Sequence, residues 1–120
     1  MIDLETLDTR PSAVVFQVGF VIFEDALMQE SPKEPILAQR RFDLDVLPQI
    51  LAGRTTDPET IRWWQIQKAP LMPHHKDYTE NMFREINYAI GVFGVSYVWS
   101  NSPSFDAVIM RSLRESMGIK

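Results

Sequence analysis

Apolar and polar residues alternate in the first third of the chain and then recur at helical spacing, and the change of rhythm falls between Phe42 and Asp57. Ile2 to Leu7 reads as a short strand, with Asp3 and Glu5 standing at i and i+2. Pro11-Ser12 marks a turn, and Ala13 to Phe23 follows as a long run rich in Val, Phe and Ile with Gly19 inside it. Its opening, Ala13-Val14-Val15-Phe16, is continuously apolar, which predicts burial on both faces. Glu24 to Pro35 carries charges and two prolines and reads as a hairpin loop. Ile36 to Phe42 alternates again, placing Ile36, Ala38, Arg40 and Phe42 on one side and Leu37, Gln39 and Arg41 on the other. The pattern predicts a three-stranded antiparallel meander.

Helical signals take over from Asp57. Asp57-Pro58-Glu59-Thr60 offers an N-cap, a proline at the first helical position and an acidic first turn, so a helix is expected through about Lys68. Pro70 and Pro73 break it. Tyr78 to Ile90 places Met82, Phe83, Ile86, Ala89 and Ile90 at helical spacing, with Gly91 and Gly94 flanking its end. Val95 to Trp99 is short and apolar and reads as a fourth strand. Ser102-Pro103 then opens a helix over Ser104 to Met117, and Gly118 sits where a C-cap belongs. The fold class expected from this order is α/β, a meander, helices, a fourth strand and a helix, assembled as a mixed sheet with helices packed against it.

Composition narrows the classes. A chain of 120 residues with 45% hydrophobic content suits one small domain. No run of apolar residues is long enough for a membrane span, and Met1-Ile2-Asp3-Leu4-Glu5 has neither the basic nor the apolar region of a secretory signal. Cysteine is absent, which excludes thiolate metal sites and fits a cytoplasmic protein. A net charge of −4 argues against coating nucleic acid by bulk electrostatics. It leaves open an enzyme that cuts nucleic acid, because bound cations reverse the sign of an acidic site.

The acidic residues carry the candidate chemistry. Asp3 and Glu5, two apart on a strand, leave the same face of the sheet and repel each other unless solvent or a cation intervenes. Mg²⁺ and Mn²⁺ favour oxygen ligands of this kind. Asp106, in the first turn of the helix after Val95–Trp99, is a third candidate if that segment lies beside the first strand. Each feature also has a plain explanation. An Asp-x-Glu pair is common, and an acid in a helical first turn is favoured by the helix dipole.

Three segments add a resemblance. Ile2-Asp3-Leu4-Glu5-Thr6-Leu7, continued by Arg10-Pro11-Ser12-Ala13-Val14-Val15 and Gln17-Val18-Gly19, resembles the first exonuclease motif of the DEDD superfamily of 3′→5′ exonucleases. It is most similar to the bacterial and phage branch known as the mycobacterial-type 3′→5′ exoribonuclease-like family. Gly53-Arg54-Thr55 through Thr60-Ile61-Arg62-Trp63-Trp64 resembles a second stretch of that branch. Val98-Trp99-Ser100-Asn101-Ser102-Pro103-Ser104-Phe105-Asp106 is similar to its second exonuclease motif. The resemblance implies a ribonuclease-H-like fold and two-metal hydrolysis of single-stranded RNA or DNA from the 3′ end, with two Mg²⁺ or Mn²⁺ ions as cofactor. It assigns Asp3, Glu5 and Asp106 to metal binding and catalysis, and Thr6, Leu7, Asn101 and Phe105 to the surroundings of the 3′-terminal nucleotide. Trp63 is expected to be the exposed indole of its pair, able to stack on a base, with Trp64 turned to the core.

The same superfamily has a third motif, a His or Tyr general base followed by a fourth carboxylate, which finds no match after Asp106. His74 and His75 precede the second motif and read as loop residues. Residues 1–120 are therefore expected to form a partial ribonuclease-H-like exonuclease domain, incomplete at its C-terminal side, with weak metal binding and impaired hydrolysis. The alternative is a catalytically inactive fragment that binds nucleic acid or a partner. An uncovered core face would favour a homo-oligomer or a complementing C-terminal segment.

Overall fold

Strand β1, Ile2–Thr6, alternates exposed Asp3 and half-buried Glu5 with buried Leu4 and Thr6, the period-two signature of a half-buried strand. The computed structural model that shows it describes residues 1–23, 36–69, 71, 75–100 and 102–119. β2, Val15–Phe23, pairs antiparallel with β1, and β3, Ile36–Asp43, pairs antiparallel with β2, so the sheet order is β1-β2-β3. The meander expected from sequence is present. The segment expected as its hairpin loop, Glu24 to Pro35, lies outside the described residues, as do Pro70, Pro73 and His74.

The register decides what each face carries. Leu4 stands opposite Val18 and Val18 opposite Phe42, while Ile2 stands opposite Phe20. These residues form the core face. Met82 and Ile86 of α3, Thr79–Phe93, cover it together with Ile109 and Leu113 of α4, Pro103–Ser116. Asp3 stands opposite Gly19, Glu5 opposite Gln17, and these continue to Arg41 and Asp43 on the other face. A β-bulge between Glu5 and Thr6 shifts the pairing so that Thr6 meets Val15. Beyond it, Leu7, Val14 and Phe16 form a second buried cluster, packed by Ile61 and Trp64 of α2, Pro58–Ile66. The continuous apolar run at Val14–Phe16 is buried on both faces because a cluster lies on each side.

Two helical ends follow their sequence signals. The Asp57 side chain accepts the Glu59 N–H at 3.2 Å and the Thr60 hydroxyl at 3.1 Å, which caps α2. Gly94, at φ 61°, ends α3 in the left-handed conformation that favours glycine. Gly91 lies inside α3 rather than at its end.

Two expectations fail. Val95 to Trp99 is not a strand. A single bond, Ile2 N–H to the Trp99 carbonyl at 2.8 Å, ties it to β1. Tyr97, Val98 and Trp99 are exposed, so no packed face holds a ladder in place. The sheet is accordingly antiparallel rather than mixed among the described residues. Its parallel pairings are two isolated bridges, Ala13 with Thr55 and Leu44 with Asp77. α1, Leu47–Leu51, is one short turn of helix with Pro48 in its first turn, in a stretch to which the sequence pattern assigned no element. No helix among the described residues is long and apolar enough to cross a membrane.

Candidate active site

β1 and α4 bring three carboxylates within electrostatic reach of one another. Asp3 and Glu5 leave the same face of β1, opposite the core cluster. Asp106 lies in the first turn of α4, where its N–H and that of Phe105 both bond the Ser102 carbonyl at 2.9 Å. The helix dipole favours an acid there, and packing holds it at 6% exposure.

The charges show the proximity. Burial raises the Glu5 pKa above its ordinary value, and the negative charges of Asp3 and Asp106 raise it further. Burial raises that of Asp106 as well, the Asp3 charge adds to it, and a hydrogen bond from the Ser100 hydroxyl works the other way. No Lys or Arg forms an ion pair with any of the three among the described residues. Arg41, on the same face of the sheet, turns to Asp43 at 3.5 Å instead. Across the strand from Asp3 stands Gly19, which leaves that part of the face uncovered.

This donor set suits a hard divalent cation in its chemistry, having three carboxylates, mutual repulsion and no cationic partner. Its spacing is looser. Among the described residues no group of three or more acidic, histidine or cysteine side chains is drawn together closely enough to hold an ion as it stands. The acids share an electrostatic field without converging on a point.

The remaining expected site residues fall in different surroundings. Thr6 is buried and its hydroxyl donates to the Asp8 carbonyl at 2.7 Å. Leu7 is buried against Val14 and Phe16. Phe105 is half-buried against the core cluster. Asn101 lies outside the described residues. Trp63 is 51% exposed, while Trp64 is half-buried, edge-on to Phe16, and donates its indole N–H to the Thr6 carbonyl at 2.8 Å. That bond fastens α2 to β1 one residue past Glu5. Trp63 meets Trp64 edge to face at 4.6 Å between ring centres, so the exposed indole is held near the same strand end.

Sequence reading gave no role to the polar network beside β1. The Asp8 carboxylate, 4% exposed, accepts from the Thr55 hydroxyl at 2.6 Å, the Thr9 N–H at 2.8 Å and the Arg10 guanidinium. Burial pushes its pKa up, but these hydrogen bonds and the Arg10 charge outweigh it and hold the group below its ordinary value. The spacing of Asp8 and Arg10 was visible in the sequence. Their further partners, the Thr55 hydroxyl for Asp8 and the Thr56 carbonyl for Arg10, were not.

The family model described as the 3′-5′ exoribonuclease Rv2179c-like domain matches residues 1–120. A search of curated proteins found no match.

Proposed function

Because the chain belongs to the 3′-5′ exoribonuclease Rv2179c-like family, we propose that it removes nucleotides from the 3′ ends of single-stranded RNA, at a site built on Asp3, Glu5 and Asp106. One observation carries the assignment of the site. Burial and the neighbouring negative charges raise the proton affinity of Glu5 and Asp106, and no cationic side chain pairs with them or with Asp3 among the described residues, the electrostatic state that a divalent cation relieves. On this reading the sheet is ribonuclease-H-like, and Mg²⁺ or Mn²⁺ is the cofactor.

Asp3 and Glu5 would hold ions from the strand side and Asp106 from the helix side. The chemistry such ions supply when bound is neutralisation of phosphodiester charge and activation of the attacking water. The protein's own groups do the positioning. Ser100 orients the Asp106 carboxylate, burial of Asp106 strengthens its field, and the exposed face of Trp63 stacks on a base of the incoming strand. On this reading Thr6, Leu7 and Phe105, buried or half-buried, support the surface on which the 3′-terminal nucleotide rests. Water adds to phosphorus and the 3′ oxygen of the preceding nucleotide leaves with a proton, releasing a nucleoside 5′-monophosphate. Since the acids do not yet converge, ion binding must itself draw them together, and weak ion affinity with slow hydrolysis is the expected behaviour.

Two measurements test this. Mn²⁺ titrated into the chain should bind, and Asp3→Ala should abolish that binding; equal binding by both removes the site. A 5′-labelled RNA oligonucleotide should shorten as a ladder from its 3′ end with Mn²⁺, faster than DNA of the same sequence. Binding without shortening would leave an inactive nucleic-acid-binding module.

A further inference from the structure

Arg54 is 6% exposed, yet no carboxylate pairs with it among the described residues. A guanidinium taken out of water is costly unless its donors are met. Here neutral oxygens from two parts of the fold meet them. Nε donates to the Ala13 carbonyl at 2.9 Å and Nη2 to the Pro11 carbonyl at 3.1 Å, both in the connection between β1 and β2. Nη1 donates to the hydroxyls of Ser112 at 3.0 Å and Ser116 at 2.8 Å on α4. Ser116 gives its own proton to the Ser112 carbonyl at 2.9 Å, so its oxygen is free to accept. Both serines lie in the C-terminal half of α4, where the helix dipole presents its negative end and favours a cation.

The base of this arginine is equally fixed. Its own N–H bonds the Gln49 carbonyl at 3.1 Å, Thr55 N–H bonds the Ser12 carbonyl at 2.9 Å, and Val14 N–H bonds the Thr55 carbonyl at 2.8 Å. The segment between α1 and α2 that carries Arg54 is therefore bonded to the β1–β2 connection, which the Leu7 N–H to Val14 carbonyl bond at 2.9 Å closes just past β1, and Arg54 reaches from it to α4. The helix is the rod joining Arg54's contacts to Asp106, with Ser112 about 9 Å along the axis from Asp106 at 1.5 Å per residue.

We infer that Arg54 is the positioning residue of the acidic site: by pegging the C-terminal half of α4 to the β1–β2 connection, it sets where Asp106 stands relative to Asp3 and Glu5. The inference rests on the reading of those acids given above. The core contacts of Ile109 and Leu113 hold α4 on the sheet but are apolar and non-directional. Directional bonds at the N-terminal end of α4 come from Ile2 to Trp99 and from Ser100 to Asp106, and the forked guanidinium adds a directional contact at its C-terminal half, which a lysine's single ammonium does not reproduce.

The test uses the whole chain and the double variant S112A/S116A, which removes only the helix-side acceptors. Alanine is the better helix former, so α4 itself is not weakened. The readouts are Mn²⁺ affinity, amide NMR shifts and the urea unfolding midpoint. The expected result is Mn²⁺ affinity weakened about 3- to 10-fold, with the Asp106 and Glu5 amide resonances moved in a chain that is still folded without urea, and an unfolding midpoint lowered because the buried guanidinium loses its helix-side acceptors. Arg54→Lys should show the same pattern. Unmoved Asp106 and Glu5 resonances overturn the inference whether or not Mn²⁺ binds, and so does unchanged Mn²⁺ affinity in a chain that binds it. If the wild type ignores Mn²⁺ while those resonances do move in the variant, the positioning role stands and the exonuclease reading falls.

Discussion

Gln49 offers the sharpest test of what holds the strand that carries the acids. β3 ends at Asp43, and beyond Leu44 the chain turns into α1, so Val15 has no strand beside it on that side. The Gln49 side chain, fully buried, takes the strand's place. Its oxygen accepts the Val15 N–H at 2.8 Å and its amide donates to the Val15 carbonyl at 2.7 Å. Val15 faces Thr6 at the end of β1, so this pairing supports the bulge that follows Glu5. Gln49→Leu keeps the volume and deletes both bonds. Each buried group left without a partner costs about 1–3 kcal/mol, and the leucine returns about 1–2 kcal/mol of apolar burial. The net loss should be about 1–4 kcal/mol, a large part of the 5–15 kcal/mol typical of a domain. Urea unfolding followed by tryptophan fluorescence measures it, with an unchanged slope showing that the compactness of both states is kept. A loss below about 1 kcal/mol would refute the reasoning, since Val15 would then have another partner for its backbone. Gln49→Glu adds a second check. An ionised carboxylate retains the acceptor and loses the donor, so this variant should recover stability as the pH falls and the acid regains a proton to donate.

Glu5 and Asp106 hold their protons more tightly in the folded chain than their ordinary values of 4.5 and 3.8. Between those values and the raised ones the native state binds more protons, so metal-free stability falls as the pH rises through that window and stays lower above it. Unfolding in urea at about pH 5 and pH 7 should show this difference, Asp106→Asn should shrink it, and an unchanged difference would show that burial and its neighbours do not hold Asp106 above its ordinary value. Trp64→Phe keeps the edge contact with Phe16 and loses the bond to the Thr6 carbonyl, so it should cost about 1 kcal/mol and speed amide exchange near the end of β1. Equal protection in both proteins would free α2 from any part in holding that strand.

The strands and long helices were legible where a local rule acted alone. Alternation across Ile36 to Phe42 gave β3, and Asp57-Pro58 gave the start of α2. Val95 to Trp99 misled because β-branched and aromatic residues suit a strand only when a neighbouring face packs them, and here they face solvent. Arg54 and Gln49 were illegible as buried residues because nothing local marks them. Their burial depends on acceptors that folding delivers from Pro11, Ala13, Val15 and α4. The acids Asp3, Glu5 and Asp106 stood out by residue type and strand parity. Their mutual field needed the docking of α4 to become visible.

That docking has a consequence for how the chain reaches its native state. The acidic set is divided between the first strand and the last helix described, while β1, β2 and α2 are joined by bonds closer in sequence. Contacts that close long loops form late, so the sheet with α2 is expected to assemble before α4 arrives. The early steps then carry only the repulsion between Asp3 and Glu5, and that with Asp106 enters in the last one. Divalent ions should therefore speed the final phase of refolding and leave the earlier ones alone. A chain still emerging from the ribosome would carry its strand acids without their helical partner, and so would fold its sheet free of the part of the charge conflict that Asp106 adds to the finished form.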